Sequence, residues 1–136
     1  MAKFLRKKWK VGEDIGLLLL RVSLGASIFY GHGLPKWTRL IEGGEVRFSD
    51  PLGIGAETSF YLVLFAEGIC FLFVILGLFT RLALIPLIIA MFVAVFVFHA
   101  NSSFGDYEMS LIYFFGFVAL FLIGPGTYSI DERFRK

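Results

Sequence analysis

A single cysteine, Cys70, stands in the 136 residues. No intrachain disulfide and no Cys-x-x-Cys pair can form, which excludes a disulfide-stapled secreted scaffold and dithiol chemistry carried by this chain alone. Charge is also scarce: charged residues are 18% of the chain and the formal net charge is +2. A field that weak does not gather nucleic acid, so a nucleic-acid-binding domain is excluded. There is no phosphate loop, no dinucleotide fingerprint and no nucleophile with its base, because Gly12, Gly16 and the Gly43-Gly44 pair form none of these. Polar and apolar residues do not alternate within the apolar runs, which excludes a transmembrane barrel. Low-complexity segments and internal repeats are absent as well.

Apolar surface is what the chain has in excess. Hydrophobic residues make up 57%, Phe alone numbers 17, and the mean hydropathy is +0.78. Soluble chains carry about 45–50% apolar and about 25% charged residues. A soluble fold of this size has too little interior to hide such a surplus, so the surplus must face lipid. Length sets one domain as the limit.

Four apolar runs follow, at residues 15–34, 59–79, 82–99 and 107–123. A bilayer core of roughly 30 Å takes about 20 helical residues, and helix is the required form because lipid offers no partner to backbone groups. Thr80-Arg81 reads as a tight hairpin that makes the second and third runs antiparallel neighbours. Residues 35–58 form the one long connection, marked by Gly43-Gly44, Asp50-Pro51, Gly53 and Gly55 as turns. Gly124-Pro125-Gly126 stops the fourth run. Ser129 with Asp131 and Glu132 reads as the start of a short amphipathic tail helix, and residues 2–12 alternate basic and apolar groups in the same manner. Nine Lys and Arg lie on the side of the termini and three (Lys36, Arg39, Arg47) on the other. The positive-inside rule therefore predicts both termini in the cytoplasm. The basic start resembles a signal peptide, but its apolar centre is about 20 residues long, contains Arg21 and lacks an A-x-A site, so it reads as a span. The expected fold is all-α, a membrane-embedded antiparallel four-helix bundle.

Ionisable residues inside a span are costly and usually have a task. Arg21 and His32 are eleven residues apart and return to one face of the first helix, with Gly25 and Ile28 between them. Ser23, Ser27 and Gly31 form a second stripe that lets another helix approach. At about 1.5 Å per residue, Arg21 lies roughly 10 Å inside the inner edge and His32 roughly 27 Å. Glu67 lies roughly 12 Å below the outer edge and His99 roughly 25 Å up from the inner one. Glu108 stands at the outer start of the fourth run, with Lys36, Asn101 and Asp106 at the rim. His32, His99, Glu108 and Glu67 are thus expected to converge from separate helices. Arg21 and Glu67 are expected to pair, since neither charge persists alone in lipid.

Several chemistries compete for this group. His32, His99 and Glu108 carry a possible metal site, and two histidines on separate helices a haem, but no HxxxH, ExxH or CxxC spacing supports either. A quinone head held by His and Glu side chains in an aromatic pocket is a third. A purely structural pairing and an accessory scaffold packing against larger membrane proteins are the plain alternatives. Cys70 reads as small apolar packing.

Several segments together resemble the DoxX family of small bacterial integral membrane proteins. Leu18-Leu19-Leu20-Arg21-Val22-Ser23-Leu24-Gly25 followed by Tyr30-Gly31-His32-Gly33-Leu34-Pro35-Lys36 is similar to the family's opening. Glu67 with Leu76-Gly77-Leu78-Phe79-Thr80-Arg81-Leu82-Ala83 is similar to its second segment, and Met91 and Gly124 to Asp131 to its close. Thr127 stands where family members often carry Arg. The resemblance implies a four-helix bundle in the bacterial cytoplasmic (inner) membrane, with Arg21, His32, Lys36, Glu67 and Arg81 as its polar signature. The family name comes from a subunit of a thiosulfate:quinone oxidoreductase. The resemblance therefore implies a small subunit of a quinone-linked redox complex, surrounded by lipid and assembled with other membrane subunits or with copies of itself. Arg81 is expected to reach headgroups or the carbonyls that end the second run.

Overall fold

The computed structural model describes residues 1–135; Lys136, counted above among the basic residues on the side of the termini, lies outside them. Four long helices dominate: Lys10–Glu42, Ala56–Leu76, Thr80–Phe98 and Phe104–Ile123. Each is long and apolar enough to cross a membrane. Short helices Ala2–Arg6 and Ile130–Arg135 flank them. No strand forms among the described residues. Both termini lie at one end of the bundle, the terminal end below; the 43–55 connection lies at the other, the loop end.

The first helix differs from the expectation. It does not stop near Leu34 but continues to Glu42, so residues 35–42 of the expected loop are helical. Pro35 sits in the first turn after the π-helical turn Phe29–Gly33. Wide turns of this kind spare a donor and an acceptor, which lets proline pass without ending the helix. The reversal between the second and third helices is Gly77 to Phe79, and Thr80-Arg81 already belongs to the third helix. Gly77 (φ 69) and Phe79 (φ 46) both take left-handed backbone. That conformation costs a residue with a Cβ roughly 1–2 kcal/mol, so Phe79 needs support from outside the turn.

The core lies along the axis, where Ile28, Val74, Leu84, Leu87, Phe117 and Leu120 are fully buried. Arg21, Gly25 and Ile28 form the buried face of the first helix, the face expected for Arg21 and His32. Close approach to the second helix uses Gly25, beside Ile75, and Gly33, whose missing side chain leaves room for the backbone carbonyl of Glu67. Ser23, Ser27 and Gly31, expected to admit a helix, are exposed. Large apolar side chains such as Leu19, Leu62, Ile89, Phe115 and Leu122 point outward, as a lipid-facing surface requires.

Candidate functional site

Buried polarity is concentrated at two levels. At the terminal end, Arg21 is completely buried and donates to the carbonyls of Tyr128 (2.6 Å), Ile75 (3.2 Å) and Val74 (3.4 Å). Val74 and Ile75 end the second helix, where the Val74 carbonyl also accepts from the Gly77 N–H at 3.2 Å and the carbonyls carry the negative end of the helix dipole. Arg21 Nε is a buried donor without a partner among the described residues. Asp131 completes the arrangement. Its carboxylate accepts from the Phe79 N–H (2.7 Å), the Thr80 N–H (2.9 Å) and the Thr80 hydroxyl (2.7 Å). Its own N–H donates to the Gly77 carbonyl at 2.8 Å. The third helix starts behind a phenylalanine that cannot cap it, and the tail lends it a carboxylate. Burial pushes the Asp131 carboxyl up. The donations from Thr80 and Phe79, with the Arg21 charge, outweigh this and hold it below its ordinary value.

The same knot takes in the remaining helices. Arg81 donates to Phe121 O (2.9 Å) and Leu122 O (3.4 Å), which end the fourth helix rather than the second as expected. Thr127 donates to Asp14 at 2.9 Å. Ser129 caps the tail helix as expected, accepting from the Glu132 N–H at 3.3 Å.

At the loop end, Glu67 is nearly buried and lies 2.6 Å from Lys36 Nζ through Oε2. This corrects the expected Arg21–Glu67 pair. Helix side chains lean toward their own N-terminus. Arg21 therefore leans toward the terminal end, away from Glu67. Lys36, which depth alone placed on the rim, leans back into the bundle and onto it. Lys36 also donates to His32 O (3.1 Å) and lies 5.9 Å from the centre of the Phe48 ring. Glu67 Oε1 accepts no hydrogen bond from the described residues.

This pair closes one end of a cavity of about 590 Å³. Helices two and three supply most of the wall, with Leu62, Phe65, Ile89 and Met91 among its residues; loop residues Phe48 to Ile54 roof it. His32, His99, Ser49, Ser59 and Ser110 are its other polar lining. His32 stands edge-on to Tyr113 with ring centres 6.0 Å apart. His99 Nδ1 lies 3.3 Å from the Ser102 hydroxyl. Three helices carry a π-helical turn at this level, Phe29–Gly33, Ala66–Cys70 and Val93–Phe98. His32 and Glu67 fall within two of them, and such turns often occur at functional sites. Pro86, also on the wall, removes another helical donor. Asp50, in the same loop but outside the cavity lining, accepts from Ile54 N–H (2.9 Å), Gly55 N–H (2.9 Å) and Ser59 (3.1 Å). The Gly55 bond first, then Ser59 and Ile54, holds its carboxyl low against the effect of burial.

Of the sequence candidates, His32, Lys36, Glu67 and His99 therefore line one cavity. Arg21 belongs to the other end. Glu108 is exposed and outside the cavity, as are Asn101 and Asp106. The fourth helix already begins at Phe104, which puts Glu108 in its second turn and outside the lining. His32, His99 and Glu108 thus do not assemble as a ligand set. Among the described residues no three of His, Cys, Asp or Glu converge as metal ligands. Asp131 is the residue that sequence reading underrated; the uncapped start of the third helix was its available signal. Chemically, the cavity offers a spare Lys36 N–H, imidazole donors and acceptors, and one free carboxylate oxygen, all against apolar walls. That set fits an uncharged ring bearing carbonyl oxygens.

A sequence model described as DoxX matches residues 16–100. An uncharacterized protein of Haemophilus influenzae is 31% identical over 133 residues, covering 93% of this chain and 87% of that protein. No solved structure matches the chain.

Proposed function

The chain belongs to the DoxX family of small membrane proteins, and on that premise we propose that it is a quinone-binding subunit of a membrane redox complex. The observation that carries this reading is the cavity itself: apolar walls ending on the Lys36–Glu67 pair, with both histidines beside it. A quinone held there by Lys36, Glu67 and the two histidines would supply the two-electron redox chemistry, with electrons coming from a partner subunit and protons from water. Lys36 donates its spare proton to one ring oxygen and fixes the head. His32 and His99 orient the ring, since each imidazole offers one hydrogen-bond donor and one acceptor toward its oxygens. Glu67 holds Lys36 in place and keeps the site neutral overall. The excess of basic residues on the side of the termini supports a cytoplasmic position for both termini, with the bundle in a bacterial inner membrane.

Trp37 provides the readout, because its Nε1 donates to Gly68 O (2.9 Å), next to Glu67. Trp9 is the one other tryptophan, and Trp9→Phe leaves Trp37 alone. In that background, reconstituted in lipid nanodiscs, ubiquinone-1 should quench Trp37 saturably. Lys36→Met with Glu67→Gln should weaken binding tenfold or more while the helix content holds. Unchanged affinity in the double variant defeats the reading.

A second reading, an accessory scaffold, draws on the terminal end. There Arg21, Thr80, Arg81 and Asp131 are all engaged in holding helices together. It predicts that partner subunits co-purify with the Lys36→Met, Glu67→Gln double variant and that the complex keeps its activity.

A further inference from the structure

How a ligand reaches the cavity can be read from the paths of the helices. The second and third helices are joined at Gly77 to Phe79 and pack together toward the terminal end. Toward the loop end the packing thins: Ala56–Phe65 touches Thr80–Phe92 only lightly and Val93–Phe98 less still, which leaves a slot along that side. Leu62 and Phe65 stand on one edge of it and Ile89 on the other; all three line the cavity and are about half exposed. This surface is the belt that a bilayer surrounds. Toward water the loop covers the cavity, with its Leu52 and Ile54 themselves half exposed. Phe48 sits against Phe60, ring centres 5.6 Å apart, and over Lys36. Pro51, Leu52 and Ile54 continue the roof, and Asp50 ties it to Ser59 at the start of the second helix.

We propose that the cavity opens sideways into the membrane through this slot and takes a prenyl lipid with an uncharged ring head. The inference rests on the headgroup reading above and adds the route and the tail. The head stops at Lys36 and Glu67, and the tail leaves between Leu62, Phe65 and Ile89. Charge favours this occupant over a phospholipid. Lys36 and Glu67 cancel, so a phosphate drawn to the inner end would be desolvated without a counter-charge. Size agrees: about 590 Å³ holds a ring and the first part of a tail, and a long prenyl chain has to continue outside.

The test uses the full chain in nanodiscs and a ubiquinone analogue carrying a diazirine on its second isoprenoid unit. After irradiation, cross-links are mapped by peptide mass spectrometry. Labels on Leu62, Phe65 or Ile89, removed by excess tail-free ubiquinone-0, support the slot. Labels on Leu52 or Ile54, competed in the same way, show the tail leaving through the roof and overturn the slot while the head site stands. Labelling that ubiquinone-0 does not remove overturns the head site and the slot with it. As a second measurement, Leu62→Phe with Ile89→Phe narrows the slot at two exposed positions. Affinity for tailed ubiquinone-2 should fall at least tenfold more than affinity for ubiquinone-0. Equal changes for both ligands, or none for either, overturn the slot.

Discussion

The two ends of the bundle handle buried charge in opposite ways. At the terminal end, Arg21 and Asp131 meet three carbonyls and three donors respectively, and among the described residues the only buried polar side-chain atom left over is Arg21 Nε. At the loop end, Lys36 and Glu67 are joined through a single carboxylate oxygen and face an apolar cavity. Many converging hydrogen bonds fix one arrangement of helices; a single one facing open space leaves capacity for something that is not the protein. On the function proposed above, the terminal end serves stability and the loop end recognition, although both sets of residues look alike in sequence.

The largest effect should come from Arg21→Met. It strips donors from the carbonyls of Val74, Ile75 and Tyr128, and hydrogen bonds to a charged group contribute roughly 1.5–3 kcal/mol each. A loss of about 3 kcal/mol or more is expected in the midpoint of unfolding in mixed detergent–SDS micelles. A loss below about 1 kcal/mol would erase the contrast between the ends. Asp131→Asn comes next, at about 1–2 kcal/mol, the range for losing a helix cap. It also has a pH signature. The Asp131 carboxyl is depressed in the folded chain. Its contribution is therefore complete above the unfolded value of about 4 and is lost as pH falls through the lower folded value. Unfolding midpoints of the parent chain should decline below about pH 4, and the part of that decline due to Asp131 should be missing from Asp131→Asn.

Much of the terminal end was legible. The apolar runs located the four helices, Gly124 ended the last of them at φ 100, and Ser129 capped the tail as its type and place suggested. What escaped was partnership. Depth along the axis was read from residue counts, but Arg21 and Lys36 extend toward the N-terminus of their helix by several Å, and that displacement decides which of them meets Glu67. The extension of the first helix to Glu42 was hidden by Pro35, because the π-helical turn that tolerates it has no local sequence signal. Asp131 was read as an ordinary first-turn acid of its own helix. Its tie to the third helix depends on a reversal at Gly77 that only the folded chain brings within reach. For the cavity, the polar residues were visible and the space between them was not, since a gap arises from helices diverging rather than from any one residue.

At the loop end the stability effects should be smaller and the binding effects larger. Lys36→Met leaves Glu67 without its cation and should cost about 1–3 kcal/mol. Adding Glu67→Gln should recover most of that loss, because a buried pair replaced as a pair is often nearly neutral. The equivalent rescue should fail at the terminal end, where Asn at 131 cannot restore the carbonyl partners of Arg21. Unfolding midpoints of the two single variants and the double variant give the coupling directly. A large, unrecovered loss would mean that the cavity end is a structural lock as well.

Glu108→Gln should have the smallest effect, and it sharpens the boundary of the site. Glu108 is exposed, stands outside the cavity and forms no ion pair among the described residues. Its removal should shift stability by no more than about 0.5 kcal/mol and leave Trp37 quenching by ubiquinone-1 within twofold. Counting residues placed Glu108 beside His99 at the mouth, so the two should behave alike if depth decides function. His99 lines the cavity and Glu108 does not, so His99→Phe should weaken quinone binding and Glu108→Gln should not. Equal losses in both would extend the site beyond the cavity walls and restore the rim as part of it.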